Sequence, residues 1–141
     1  MDVHTKEQRS YNMSRVKSDN TKPEKLMFSL LKKSGYKFKR HYSITGKPDI
    51  AFPKDKVAVF INGEFWHGKD YKFIKSKLPE FWVDKIGQNI KRDEFVQRKL
   101  RKEGWHVLNF WGKNILRNPR NSIRRLTRYL ERMNSYGYHS R

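Results

Sequence analysis

Two polar residues flank a short apolar hairpin segment, and their types are those that bind metal ions. The segment GKPDIAFPKDKVAVFINGEFWHG occupies positions 46–68, with Asp49 near its start and Asn62 near its end. If the turn occupies residues 53–56, the strand register places Asp49 and Asn62 diagonally on one sheet face. The backbone carbonyl of Ile61 lies at the same end, so oxygen ligands for a hard cation such as Mg²⁺ could meet there. Alternatively, Asp49 only begins a strand and is solvated or caps a turn.

A second acid interrupts the apolar stripe of a predicted helix. Asp93 stands between Ile90 and Val96, where an unpaired buried carboxylate would cost several kcal/mol, so a basic partner is expected. We expect that partner to be His67, because a histidine oriented by a carboxylate can take a proton from water. The alternative is a structural ion pair between Asp93 and one of the many arginines.

The composition favours a polyanionic partner. Thirty-three Lys and Arg oppose 14 Asp and Glu, which gives a formal net charge of +19. These basic residues are spread along the chain instead of gathered on one amphipathic helix, so nucleic acid is favoured over a membrane surface. The absence of cysteine excludes disulfides and thiolate zinc sites. Without a signal-peptide pattern or a bilayer-long apolar run, we expect a cytoplasmic protein that associates with the nucleoid when bound to DNA.

Four further residues have both a structural and a functional explanation. Glu24 follows Thr21 at the spacing of a capping box, which requires no function. Phe65 and Trp66 lie in a basic loop and are either core aromatics or wedges between base steps of DNA. Met13, isolated on a polar segment, is either a docking anchor or a similar wedge.

The length and apolar pattern predict one compact α/β domain. Residues 1–19 are expected to form an arm that contacts DNA, residues 20–135 the folded domain, and residues 136–141 a basic tail. Residues 63–79 are predicted to be a long loop.

The predicted elements alternate between helix and strand. They are a helix over about 22–34, strands at YKFKRHY, PDIAF and KVAVFIN, a helix over about 80–102, a strand at WHVLNFW and a final helix containing SIRRLTRYLERM. The apolar side of the final helix comprises Ile123, Leu126, Tyr129, Leu130 and Met133. The long helix would cross over to pair the last strand in parallel, which gives a mixed sheet covered by helices.

Five segments resemble, in order and spacing, those of the very short patch repair (Vsr) endonucleases. They are TKPEKLMFSLLKKSGY, GKPDIAF, VFINGEFWHG, FWVDKIGQNIKRD and LRKEGWHVLNFW, and the resemblance covers about residues 2–130. It implies a restriction-endonuclease-like α/β fold of the PD-(D/E)xK type, with a central mixed sheet flanked by helices. It also implies an enzyme that requires Mg²⁺, as one or two ions, and nicks one strand of double-stranded DNA beside a T:G mismatch. We expect a monomer.

The resemblance implies a role for each catalytic candidate. Asp49 matches the metal-binding aspartate, and Ile61 matches the residue whose backbone carbonyl reaches the metal. His67 matches the histidine that activates the attacking water, and Asp93 the aspartate paired with it. Glu24 matches a glutamate that holds metal-bound water.

The resemblance also identifies DNA-contacting candidates. The residues that match those prying the duplex open are Phe65, Trp66 and Met13. The residues of the long helix expected at the DNA interface are Lys85, Asn89 and Arg92.

Two departures from the best-known members concern this site. The positions where those members bind a structural zinc through cysteine and histidine carry Glu64, Lys69, Tyr71 and Lys113. No structural zinc is therefore expected, and we expect Glu64 to form an ion pair with Lys69 or Lys113 in its place.

The second departure is Asn62, a catalytic candidate that stands where those members have histidine. An amide can hydrogen-bond a phosphate or a metal-bound water, but it cannot shuttle protons at neutral pH. This substitution leaves open a catalytically weak or silent mismatch-binding protein. Charge and aromatic content alone leave open a basic RNA-binding protein.

Overall fold

A computed structural model of the chain describes residues 21–64 and 68–135. The elements in chain order are α1 (Lys22–Lys33), β1 (Lys39–Arg40), β2 (Ile50–Phe52), β3 (Val57–Asn62), α2 (Tyr71–Ile74), a 3₁₀ turn (Lys75–Lys77), α3 (Glu80–Lys102), β4 (His106–Trp111), α4 (Gly112–Arg117) and α5 (Pro119–Ser135). The predicted α/β class, a central mixed sheet flanked by helices, is confirmed. Within these residues, no helix is long and apolar enough to cross a membrane.

The sheet has four strands in the order β1-β2-β3-β4. Strands β2 and β3 are antiparallel with Phe52 opposite Val57, which is the predicted hairpin register. Strands β3 and β4 are parallel with Asn62 opposite Trp111, as expected for a crossover through α3. The carboxyl ends of β3 and β4 therefore lie at one edge of the sheet, next to the start of β2, where Asp49 lies.

One face of the sheet carries the apolar core. Because side chains alternate across a strand, one set of strand residues faces α1 and α5. The buried residues of this layer are Met27, Phe28, Leu31, Ile50, Phe52, Val57, Val59, Ile61, Leu108, Phe110, Ile115, Leu126, Leu130 and Met133. Ile123 and Tyr129 pack against this core as partly buried residues, so the predicted apolar side of the final helix is confirmed.

Helix α3 packs against two glycines, one before and one after the β2–β3 hairpin. Gly46 and Gly68 both have positive φ, at +77° and +70°. A Cβ on Gly46 would overlap the Val96 side chain, and a Cβ on Gly68 would overlap that of Ile90. The absence of side chains thus lets the main chain before β2, and the main chain after β3, touch α3 directly.

The structure differs from the predicted elements in three places. The YKFKRHY strand shortens to Lys39–Arg40 because the next residue, His41, has φ of 48°, which ends extended structure. The predicted loop contains α2 and a 3₁₀ turn, and Tyr71 anchors it through its hydroxyl, which donates to the Val83 carbonyl at 3.1 Å. Helix α4 was not predicted, because elements of this length show no clear helical period.

The close packing of Gly46 against α3 can be tested with Gly35 as its control. Both glycines have positive φ, but a Cβ on Gly35 would meet nothing within 4 Å. We expect Gly35→Ala to lower the free energy of unfolding by about 1–2 kcal/mol through backbone strain alone. Gly46→Ala adds overpacking against Val96 and should cost about 2–5 kcal/mol in total. Equal losses for the two variants in urea unfolding would contradict this packing.

Candidate active site

Asp49 is fixed between two strands at the edge of the sheet. Its Oδ2 accepts a hydrogen bond from the backbone N–H of Ile61 at 2.7 Å. Its Oδ1 lies 3.9 Å from Nδ1 of His41, and the Asp49 side chain is 17% exposed. The predicted approach of Asp49 to the main chain at the end of β3 is therefore observed. The carboxylate is held rigidly but keeps contact with solvent.

The carbonyl of Ile61 lies on the same side of β3 as this carboxylate. In an antiparallel pair, the N–H and C=O of one residue point toward the same neighbouring strand. Since the Ile61 N–H points to Asp49, its carbonyl also points to that corner, beyond the end of β2.

This corner suits a hard divalent cation, since it combines a carboxylate with a carbonyl oxygen. Among residues 21–64 and 68–135, no group of three or more His, Asp or Glu side chains could hold a metal ion. Mg²⁺ commonly binds through one or two carboxylates and takes its other ligands from water and substrate phosphate. The Asp49 corner fits that mode of binding, in which the Asp49 carboxylate and the Ile61 carbonyl would be the protein ligands.

Asn62 belongs to a network of three side-chain amides. Its Nδ2 donates to Oδ1 of Asn109 at 3.3 Å. Gln97 of α3 and Asn109 exchange two hydrogen bonds, at 2.8 and 3.1 Å. Sequence reasoning placed Asn62 beside Asp49 but missed both partners. The available signal was an amide at position 109, between the apolar Leu108 and Phe110 of a predicted buried strand.

Glu24 caps α1 and also lies near the site. Its side chain is 2% exposed, and its Oε2 accepts the Thr21 N–H at 3.0 Å, as the capping explanation requires. A Cβ added to Gly112 would lie 3.0 Å from Pro23 Cγ and 3.7 Å from the Asn62 carbonyl oxygen. The start of α1 therefore packs beside the carboxyl ends of β3 and β4, and capping does not exclude a role for Glu24 in the candidate site.

The α3 candidates share one region of the helix but differ in burial. Lys85, Asn89 and Arg92 recur at four- and three-residue spacing and so lie on one helix face. Asp93 is half-buried, as are Ile90 and Val96. The predicted apolar stripe is thus more open here than its sequence indicated. Lys85, Asn89 and Asp93 each interact with another group.

Four predicted site residues lie outside the described residues. They are Met13, Phe65, Trp66 and His67.

Glu64 joins the end of β3 to the start of α4. The backbone N–H of Lys113 lies 3.1 Å from its Oε2 and 3.3 Å from its Oε1. The ion-pair prediction was therefore right about Lys113 and wrong about the group, because the partner is a main-chain N–H. Unpaired N–H groups in the first turn of a helix attract carboxylates. The Lys69 ammonium lies 5.6 Å from the Trp111 ring centroid.

One family model and three relatives show what the chain is similar to. The family model described as DNA mismatch endonuclease Vsr matches residues 1–73. The chain is 45% identical over 122 residues to the type II nicking enzyme V.NmeDIP of Neisseria meningitidis serogroup C, covering 84% of this chain and 82% of the relative. It is 42% identical over 124 residues to the type II nicking enzyme V.HpaIIP of Haemophilus parainfluenzae, covering 84% and 88%. It is 37% identical over 113 residues to the DNA mismatch endonuclease Vsr of Escherichia coli strain K12, covering 78% and 72%.

Removing the contact between Glu64 and α4 should measurably lower the stability of the protein. We expect Glu64→Ala to lower the free energy of unfolding by about 1–2 kcal/mol, because a carboxylate is lost from the first turn of a helix. Glu94→Ala, which removes an exposed acid from α3, should change it by about 0.5 kcal/mol or less. Denaturant unfolding of the two variants measures the difference. Stoichiometric zinc in the purified wild-type protein would show instead that a metal holds this region.

Proposed function

The chain belongs to the Vsr family of DNA mismatch endonucleases, and from this premise we propose that it requires Mg²⁺ and nicks one strand of duplex DNA at or near a T:G-type mismatch, in very short patch repair. DNA endonuclease activity and the restriction-endonuclease-like fold follow from family membership. Members of the family act on DNA, so the RNA-binding alternative is set aside. The requirement for Mg²⁺, the T:G specificity and the cut in a single strand are the parts that we propose.

The observation that carries the proposal is the corner formed by Asp49 and Ile61. A partly exposed carboxylate accepts the Ile61 N–H at 2.7 Å, and strand geometry directs the Ile61 carbonyl to the same side of β3. The relatives support the type of reaction, since two are type II nicking enzymes and one is a DNA mismatch endonuclease.

Asp49 and the Ile61 carbonyl would hold the metal, which when bound supplies positive charge that polarises the scissile phosphate. His67 would accept a proton from the attacking water as the water oxygen bonds to phosphorus and the bond to the leaving sugar oxygen breaks. Asp93 would orient the ring of His67 and stabilise it after it takes the proton.

The remaining candidates would position DNA and water. Asn62 has two amide N–H groups, and its bond to Asn109 uses one, so the other can donate to a phosphate oxygen. Glu24 would hold water beside the metal. The residues that would open the duplex are Met13, Phe65 and Trp66, and those that would hold the flanking backbone are Lys85, Asn89 and Arg92.

Replacement of Asp49 separates chemistry from binding. Asp49→Asn keeps an oxygen that can accept the Ile61 N–H but removes the charge that binds the metal. We expect nicking of a T:G duplex in Mg²⁺ to fall by about 100-fold or more, while DNA binding in EDTA stays within about twofold of wild type.

The control is Glu103→Gln, which also removes one negative charge but follows α3 at the opposite edge of the sheet. It should leave nicking unchanged. A panel of matched and mismatched duplexes, run with Mg²⁺ and with EDTA, measures metal dependence and specificity together. Wild-type-level nicking by Asp49→Asn would show that the metal corner is assigned wrongly.

Asn62 distinguishes the proposed enzyme from a silent mismatch binder. Asn62→Ala should slow nicking about tenfold, because it removes one hydrogen bond to the phosphate. Asn62→His should restore nicking and add a second histidine to the site, so that the nicking rate at about pH 6.5 depends more steeply on pH than in the wild type, where His67 is the histidine proposed to transfer the proton. Nicking rates across pH for the three proteins provide the measurement. If only Asn62→His nicks DNA, the natural protein is the silent binder.

A further inference from the structure

A polar cleft, separate from the Asp49 corner, lies on the side of Trp111 that faces away from α3. It is formed by the end of β4, α4 and the first turns of α5, and its volume is about 260 Å³. Two arginines, Arg117 and Arg125, line it together with several side-chain amides and the hydroxyl of Ser122. None of these residues takes part in the reaction proposed above.

Arg125 is held in place before any ligand binds. Its Nη1 donates to the backbone carbonyl of Asn109 at 3.1 Å, and its guanidinium stacks on the Phe110 ring at 4.5 Å from the centroid. A guanidinium has five N–H donors, so the contact with Asn109 leaves others to face the cleft. The planar fork of arginine suits a phosphate, and Arg117 adds a second exposed guanidinium.

The first turn of α5 adds weaker attraction for an anion. Asn118 caps this helix, because its Oδ1 accepts the Asn121 N–H at 3.1 Å and its carbonyl accepts the Ser122 N–H at 3.3 Å. The positive end of the helix dipole therefore points toward the cleft. This feature alone would not define a site.

Ser122 adds a hydroxyl donor to the cleft. The residue is only 8% exposed, and it lines the cleft. Within the described part of the chain, its hydroxyl makes no hydrogen bond, whereas its backbone N–H does. The hydroxyl is therefore available to donate to an acceptor that enters the cleft beside the two arginines.

The cleft lies at the same edge of the sheet as the Asp49 corner. Asn62 and Trp111 are register partners at the ends of parallel strands, so both sites lie at that edge. Neighbouring strands are about 4.8 Å apart, which separates the sites by on the order of 15 Å. A DNA strand rises about 3.4 Å per nucleotide, so this distance corresponds to roughly four nucleotides.

We propose that the cleft formed by Arg117, Ser122 and Arg125 binds a backbone phosphate of the DNA substrate, roughly four nucleotides from the cleaved bond. The inference extends the proposed function, because it assumes that DNA crosses this edge of the sheet. A phosphate contact carries no base information. The cleft therefore strengthens binding to matched and mismatched duplexes equally and leaves the maximal nicking rate unchanged.

The first test compares an arginine of the cleft with an arginine at the far end of α5. Arg117→Gln removes a cleft guanidinium at the end of α4, whereas Arg132→Gln removes an exposed arginine from the last turn of α5. Fluorescence anisotropy in EDTA, over a range of salt, measures binding without cleavage. We expect Arg117→Gln to weaken binding about tenfold for both duplexes and to reduce the salt slope by about 1. Arg132→Gln should stay within about twofold. Equal losses for both variants would overturn the proposal in favour of a general positive field.

The second test locates the phosphate. Ethylating one phosphate at a time along a labelled duplex should reveal a flanking position that weakens binding of the wild type but not of Arg117→Gln. Ser122→Ala removes a hydroxyl that has no protein partner. Its binding should likewise be insensitive to ethylation at that position, and its free energy of unfolding should be unchanged. Identical interference patterns for all three proteins would overturn the proposal.

A separate nicking assay keeps the two proposals distinguishable. If the wild type fails to nick mismatched DNA while the interference difference persists, the nicking proposal fails and the phosphate cleft stands. If nicking is normal and the difference is missing, the cleft proposal alone fails.

Discussion

The hydrogen bond from the Ile61 N–H to the Asp49 carboxylate joins the start of β2 to the end of β3, and the candidate site is arranged around it. An aspartate at the edge of a sheet would otherwise rotate freely in water. Because it accepts the Ile61 N–H at 2.7 Å, the carboxylate stays on the side of β3 to which the Ile61 carbonyl also points. For the proposed metal, the hairpin would hold these two oxygens in place before binding, which would lower the entropic cost of binding it.

The second constraint is the packing of α3 on the sheet face opposite the core formed with α1 and α5. Glycines at positions 46 and 68 let the main chain approach the helix closely. The reciprocal amide bonds between Gln97 and Asn109 then set how α3 lies on β4. Asn62 is oriented through Asn109, so the residue that departs from the best-known relatives is held by a network instead of being a loose surface amide.

The region after β3 is attached to the start of α4 by a carboxylate. Glu64 bonds to the backbone N–H of Lys113, where the helix dipole and unpaired N–H groups favour negative charge. This contact keeps α4, and with it the wall of the Arg117 cleft, attached to the end of β3.

The residues alone determined the α/β class, the hairpin register and the extent of α3, because turn length, strand alternation and helical period are local properties. They also placed Asp49 beside Ile61, since register fixes which residues meet across a hairpin. They did not place Asn109 and Gln97 with Asn62, or Glu64 on a main-chain N–H. Those contacts depend on how helices pack on the sheet, and a backbone donor has no signature in residue type. Only the tertiary structure decided them, as it decided the cleft around Arg125.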